Sequence, residues 1–219
     1  AHHEIHRYRA ANNLPETPRT TIVACLIQHN NAFWAHCGDS RLYWMRNGQI
    51  LSRTRDHSRI ETLIAQGKVA ASERSTHPER NRLFNCLGAM NKPIVEISRR
   101  ASLQPGDVIL LCSDGLWSVL PDPLLTQTLY SNTIVRAVPE LVSSANEIAG
   151  KTGDNVTALA MMWESSDTTQ VFANTTITTH TLPLGSVTTS IQAPRHSDLG
   201  CFCSARFCCS CQRPKCPHR

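Results

Sequence analysis

Apolar and polar positions alternate through the first half of the chain in short runs that predict strands. Residues 20–27 (TTIVACLI) and 32–37 (AFWAHC) are such runs, separated by a turn signal at Asn30 and Asn31, and both are rich in β-branched or aromatic side chains. Residues 42–45 and 49–51 flank Asn47-Gly48, a pair that readily takes the positive φ angles of a tight hairpin turn. The opening therefore reads as a β-meander. Ser58 and Glu61 have the spacing of a capping box, and Ile60, Leu63 and Ile64 share a face before Gly67, which predicts a short amphipathic helix. Residues 70–82 are polar and contain Pro78, so an exposed excursion is expected before 83–87.

Strand signals resume at 94–103, turn at Gly106, and continue through the strongly apolar 107–112. Pro139 fits a helix start, with Leu141, Val142, Ala145 and Ile148 at helical spacing before Gly150. Residues 155–163 form the last apolar run, and from Ser165 onward Thr and Ser dominate. Many hairpin strands with few helices predict an α+β fold with antiparallel sheets. The chain divides into a polar connecting segment at 1–19, a body at 20–164, and a tail at 165–219.

Composition changes this picture mainly at the ends. The 219 residues carry 41% hydrophobic and 18% charged positions, which excludes a wholly disordered chain and a long coiled coil. Six of the ten cysteines lie between Cys201 and Cys216, and Arg206, Arg213, Lys215 and Arg219 supply four of the net +5 charges. Cysteine count and charge thus describe the tail and leave the body nearly neutral. Cys201, Cys203, Cys208, Cys209, Cys211, Cys216 and His218 offer zinc ligands, but they crowd without a structured frame. An unstructured or misread tail is favoured over a zinc site or a disulfide knot. Four basic residues with Phe202 and Phe207 make no nucleic-acid surface. No apolar run reaches the ~18 residues of a membrane helix, and no signal-peptide pattern opens the chain. The expectation is a soluble, cytoplasmic monomer without membrane or nucleic-acid partners.

The candidate chemistry is acidic. Asp39 in Gly38-Asp39-Ser40-Arg41, Asp114 in Ser113-Asp114-Gly115 and Asp154 in Gly153-Asp154-Asn155 all sit beside glycine where an apolar strand begins or ends. One Asp beside Gly is ordinarily a turn residue. Three of them flanking core strands point to a shared site, because clustered carboxylates repel and a hard cation such as Mg²⁺ or Mn²⁺ relieves that repulsion.

The ordered blocks Thr20-Thr21, GDSR at 38–41, RDHS at 55–58, HPERN at 77–81, CLG at 86–88, SDGLW at 113–117 and GDNVTAL at 153–159 resemble the metal-dependent protein phosphatase family, also called protein phosphatase 2C, in its bacterial form. The resemblance spans about 20–163. It implies a four-layer αββα arrangement, an antiparallel β-sandwich flanked by helices, here incomplete at its N-terminus. It further implies hydrolysis of phosphoserine and phosphothreonine in proteins by a water activated at a two-metal Mn²⁺ or Mg²⁺ centre. Asp114 and Asp154 would be ligands of that centre, and Asp39 would serve a third, weaker site. His57 would play a structural hydrogen-bonding role, residues 58–87 would form the flap over the site, and a cognate Ser/Thr kinase would be a partner.

Two departures stand out. Family members carry an earlier Asp-Gly-x-Gly-Gly motif whose Asp bridges both metals, whereas residues 1–19 contain only Glu4 and Glu16 as acids and no glycine. Ser118 stands where many relatives have an acid. The expectation is that the chain lacks the family's opening segment and hydrolyses weakly or not at all. The alternative is an inactive phosphatase-like module that binds phosphoproteins or regulates a kinase.

Overall fold

In the computed structural model, the described residues are 1–74, 76–80, 82–150, 153–164 and 205–212, the last as backbone only. The strands are β1 (Ile22–Gln28), β2 (Asn31–Cys37), β3 (Arg41–Arg46), β4 (Gln49–Arg53), β5 (Glu96–Ile97), β6 (Ala101–Ser102), β7 (Val108–Cys112), β8 (Val156–Trp163) and β9 (Ala205–Gln212). The helices are α1 (His2–Ala11), α2 (Arg59–Ala65), α3 (Asp114–Trp117), α4 (Asp122–Ser131) and α5 (Ile134–Ala149). One sheet joins β1 to β2, with β5 and β6 both on the far side of β2; the other runs β4-β3-β7-β8-β9. Every pairing is antiparallel.

Two cores follow from the alternation. Ala32, Leu42, Ala101, Ile109, Met161 and Trp163, backed by Val23, Cys25 and Ile27, fill the space between the sheets. The opposite face of the second sheet presents Tyr43, Met45, Val108, Leu110, Ala158 and Ala160 to Leu116, Leu125, Leu129, Val138, Leu141 and Val142 of α3, α4 and α5. The sheets pack as a sandwich with helices outside, the α+β architecture that the pattern predicts. Among the described residues no helix is long and apolar enough to cross a membrane.

Several elements differ from the sequence reading, each for a visible reason. The polar connecting segment holds α1, which buries none of its residues and so leaves no apolar period. It is docked through His2, whose Nδ1 accepts from Gly88 N at 3.1 Å, and His6, whose Nε2 lies 3.1 Å from Ala89 O. The strand expected over 94–103 shrinks to β5 and β6, because the Asn85 side chain takes both the N–H and the carbonyl of Ile94. Helix α5 begins at Ile134, five residues before Pro139, which sits on the solvent side. Helix α4 was not anticipated, although Leu125 and Leu129 are fully buried one turn apart. The capping box is half realised: Ser58 Oγ accepts from Glu61 N at 3.4 Å, while the Glu61 carboxylate turns to Arg74.

Within the segment expected to be unstructured, residues 205–212 form β9. They pair with β8 over its whole length, from Val156↔Gln212 to Trp163↔Ala205. An eight-residue strand such as β8 presents unpaired backbone groups on its outer side, and β9 satisfies them. The zinc and disulfide readings rest on side chains outside the described residues.

Candidate metal centre

Three loops converge at one end of the second sheet. After β2 the chain turns at Gly38, where φ is +113° and a Cβ would lie 2.3 Å from Thr21 Cγ2. Only glycine fits there, and Asp39 follows. β7 delivers Ser113 and Asp114, and the loop before β8 delivers Asp154. Ser113 binds the second and third loops together: its N–H donates to Thr157 O at 2.9 Å, its Oγ donates to Asn155 O at 3.1 Å, and Thr157 N donates to that Oγ at 2.9 Å. A Cβ on Gly115 would lie 2.4 Å from Asn155 O, so glycine permits the close approach that sets Asp114 beside the Asp154 loop. Trp117 closes the arrangement by donating Nε1–H to Asp39 O at 2.9 Å.

The electrostatics show what this assembly costs. Burial, then the charges of Asp114 and Asp56, push the Asp39 carboxyl up to about 6. Asp114 is raised by burial and next by the charge of Asp154. Asp114 and Asp154 each accept one adjacent backbone N–H, from Gly115 at 3.0 Å and Asn155 at 2.7 Å. Asp56, Asp107 and Asp122 pair with Arg41, Arg46 and Arg53, whereas Asp39, Asp114 and Asp154 join no ion pair among the described residues. Three carboxylates in no ion pair among the described residues, two of them raised by burial and by an acidic neighbour, are the hard oxygen donor set that suits Mn²⁺ or Mg²⁺. Asp114 and Asp154 open onto a cavity of about 810 Å³.

A stability test follows with a definite sign. The Asp39 carboxyl holds its proton more tightly in the folded chain than at its ordinary value of 3.8. Ionising it therefore costs nothing below about pH 4, an increasing amount up to about 6, and the full amount above. Asp39→Asn is expected to stabilise the metal-free protein at pH 7 by on the order of 2 kcal/mol, and to bring no gain at pH 3.5. Urea unfolding at the two pH values in the presence of EDTA checks both.

The strongest supports of the site were invisible in the sequence. Arg41 is fully buried and grips Asp56 with Nε and Nη2 at 2.8 and 2.7 Å. Its Nη1 donates to Tyr43 OH at 3.0 Å, and its guanidinium lies 3.5 Å from the centre of the Trp117 ring. Gly38 N donates to His57 Nδ1 at 3.1 Å, and His57 N donates to Gly38 O at 3.0 Å. The GDSR and RDHS blocks are thus two halves of one buried joint, with His57 in a hydrogen-bonding role.

His36, His57 and Glu96 also bring potential ligand atoms within 4.8 Å of one another, a cluster the sequence reading missed. Their hydrogen bonds do not suit a metal. His57 Nδ1 accepts from Gly38 N and is 2.6 Å from Asn85 Nδ2, which leaves the ring proton on Nε2. That buried nitrogen lies 3.2 Å from Glu96 Oε1 in ion-pair reach, but off the line of a hydrogen bond. His36 Nε2 is committed at 2.8 Å to Arg55 O, which can only accept. Both nitrogens carry protons where a metal needs lone pairs. Burial, ahead of the neighbouring His36, holds the His57 pKa below its ordinary value, against the opposing pull of Glu96.

Comparison with known proteins places the fold among phosphatases. The family model for Protein phosphatase 2C matches residues 1–61. The chain is 32% identical over 141 residues to the serine/threonine phosphatase stp of Listeria monocytogenes, covering 64% of this chain and 55% of that protein. It is 31% identical over 140 residues to the serine/threonine protein phosphatase PstP of Mycobacterium tuberculosis, covering 64% and 26%. Among solved structures, Stp1 of Staphylococcus aureus superposes with a TM-score of 0.66 at 28% identity, covering 74% of this chain and 63% of that one. The serine/threonine phosphatase of S. agalactiae gives 0.64 at 27% identity, covering 73% and 65%. A PstP catalytic domain solved with two manganese ions gives 0.55 at 28% identity, covering 72% and 64%. The fold is that of the solved bacterial serine/threonine phosphatases. The chain is similar to bacterial members of the protein phosphatase 2C family, and it spans about half the length of the stp relatives it matches.

Proposed function

We propose that this chain carries the catalytic face of a protein serine/threonine phosphatase that hydrolyses phosphoserine and phosphothreonine. The carrying observation is the trio Asp39, Asp114 and Asp154, which join no ion pair among the described residues and two of whose members open onto the 810 Å³ cavity. Asp114 and Asp154 would hold the metal, and Asp39 a weaker third ion. When bound, Mn²⁺ or Mg²⁺ lowers the pKa of a coordinated water and offsets phosphoryl charge. The protein's own part is to hold carboxylates close together against their repulsion. Ser113 and Gly115 do this by fixing one loop on the other, and Trp117 ties Asp39 to the same unit.

Residues 1–219 contain no Asp-Gly-x-Gly-Gly, so Asp114 and Asp154 have no bridging carboxylate within this sequence. We take these residues alone to bind metal weakly and to turn over slowly. Substrates are phosphorylated Ser/Thr proteins, with a cognate kinase as a natural partner. Hydrolysis of p-nitrophenyl phosphate and a phosphothreonine peptide across a Mn²⁺ titration tests the reading. The expected result is slow, EDTA-sensitive turnover that rises when a segment bearing the motif is joined to residue 1. Turnover indifferent to metal would overturn it, and phosphopeptide binding with no turnover in either form would favour the inactive module.

A further inference from the structure

We infer that the cavity beside the aspartates contains a second anion subsite, built on Arg74, which takes an acidic side chain or a second phosphate near the phosphorylated Ser or Thr. The inference rests on the phosphatase reading and deepens it by naming a substrate class.

The same cavity is lined by Asp114 and Asp154 and by Arg41, Arg53, Arg74 and Arg80; Arg80 is engaged elsewhere, and the other three are not equivalent. Arg41 spends all three guanidinium nitrogens on Asp56 and Tyr43. Arg53 reaches Asp122 through Nη1 at a long 3.4 Å. Arg74, just past the 3-10 turn Ala71–Glu73, uses only Nε, which holds the Glu61 carboxylate. Its two terminal nitrogens have no partner among the described residues. A guanidinium held at Nε presents Nη1 and Nη2 as a pre-oriented fork, the geometry that receives a carboxylate or phosphate through two parallel hydrogen bonds.

The surroundings of Arg74 hold it in place for the same ligand. Glu61 is only 7% exposed, and Arg55 donates to its backbone carbonyl at 3.2 Å. Two arginines therefore meet at Glu61, Arg74 at its carboxylate and Arg55 at its backbone carbonyl, and Glu61 engages Arg74 only through Nε. The Arg74 side chain is 25% exposed, so an arriving anion meets it partly shielded from water, where the pair gains more than on an open surface. Glu61 also removes part of the ordering cost that a free arginine would incur on binding. A sphere of 810 Å³ is about 12 Å across, and an extended peptide advances ~3.3 Å per residue. The second anion therefore belongs within about three residues of the phosphorylated one.

Three peptides with one phosphothreonine test the subsite on the full chain with Mn²⁺, their +2 residue being Ala, Glu or a non-hydrolysable phosphonate analogue of phosphoserine. Both kcat/KM and affinity by fluorescence anisotropy are measured. The Glu or phosphonate peptide is expected to be preferred over Ala by about tenfold, and comparison of the two shows which anion fits. Arg74→Gln is expected to abolish that ratio, and Arg74→Glu to shift preference to a +2 Lys. Because Glu61 loses its partner in both variants, Arg74→Lys is the folding control, keeping the charge and losing the fork; it should retain only part of the ratio. Equal handling of all three peptides by the wild-type chain, or a preference that survives Arg74→Gln in a folded variant, overturns the subsite and leaves the phosphatase reading standing. Neither binding nor turnover of any peptide overturns both.

Discussion

Asp114→Asn is expected to lower Mn²⁺-dependent phosphoester hydrolysis by more than about a hundredfold, since groups one shell further out already change metal affinity or activity by 10–100-fold. The substitution isolates charge. Asn has the shape of Asp, and its Oδ1 still accepts from Gly115 N, now at 3.0 Å from Asp114. What is lost is the anionic oxygen facing the cavity. Because the charge of Asp154 raises Asp114, and that of Asp114 is the largest cause after burial that raises Asp39, the variant should be more stable than wild type without metal. It should also gain less from added Mn²⁺, because binding to the folded state stabilises by RT ln(1 + [L]/Kd). Thermal unfolding with and without Mn²⁺ therefore crosses over: the variant melts higher in EDTA and its margin narrows or reverses in Mn²⁺. Undiminished turnover in a folded variant would remove Asp114 from the metal set.

The same contrast explains which features were legible in the sequence. Gly beside Asp at a strand end is a local signal, so GDSR, SDG and GDN marked the three carboxylates correctly as neighbours of core strands. The alternation in β1 to β4 and the apolar run of β7 were likewise local, and they are found as strands. What joins the loops is not local. Ser113 meets Asn155 across 42 positions, Trp117 meets Asp39 across 78, and Arg41 meets Asp56 across 15. A serine, a tryptophan or an arginine carries no mark of such a partner until the sandwich is assembled.

Elements were missed where context overrides pattern. Helix α1 buries nothing of its own and depends on docking at Gly88 and Ala89. Helix α4 buries Thr126 and Thr128 along with its leucines, which blurs its apolar face. Strand β9 exists because β8 has an edge to fill. Asn85 shortens the expected strand at 94–103 by capturing the backbone of Ile94, a tertiary effect that periodicity does not register.

Arg41→Met should be the most destabilising single change, by about 3–5 kcal/mol, because it leaves the Asp56 charge buried and unpaired. Both side chains are only 2% exposed, so water cannot take over the role of the guanidinium. The variant also loses the hydrogen bond to Tyr43 OH and the stacking on Trp117. Against a typical total of 5–15 kcal/mol, such a loss brings part of the population near unfolding, so two further variants carry the test. Arg41→Lys keeps a positive charge without the fork and should be intermediate. Arg41→Met combined with Asp56→Asn removes both charges, and should recover much of the loss, a coupling that urea unfolding of the four proteins measures directly. Strict additivity would mean that the two side chains do not act as a pair. The metal centre should register the same damage at a distance: Trp117 lies against Arg41 and holds the Asp39 carbonyl, so Arg41→Lys should weaken Mn²⁺ binding by about tenfold even where the protein remains folded. The buried joint between the GDSR and RDHS blocks would then be what holds Trp117 and Asp39 in place for the proposed metal set.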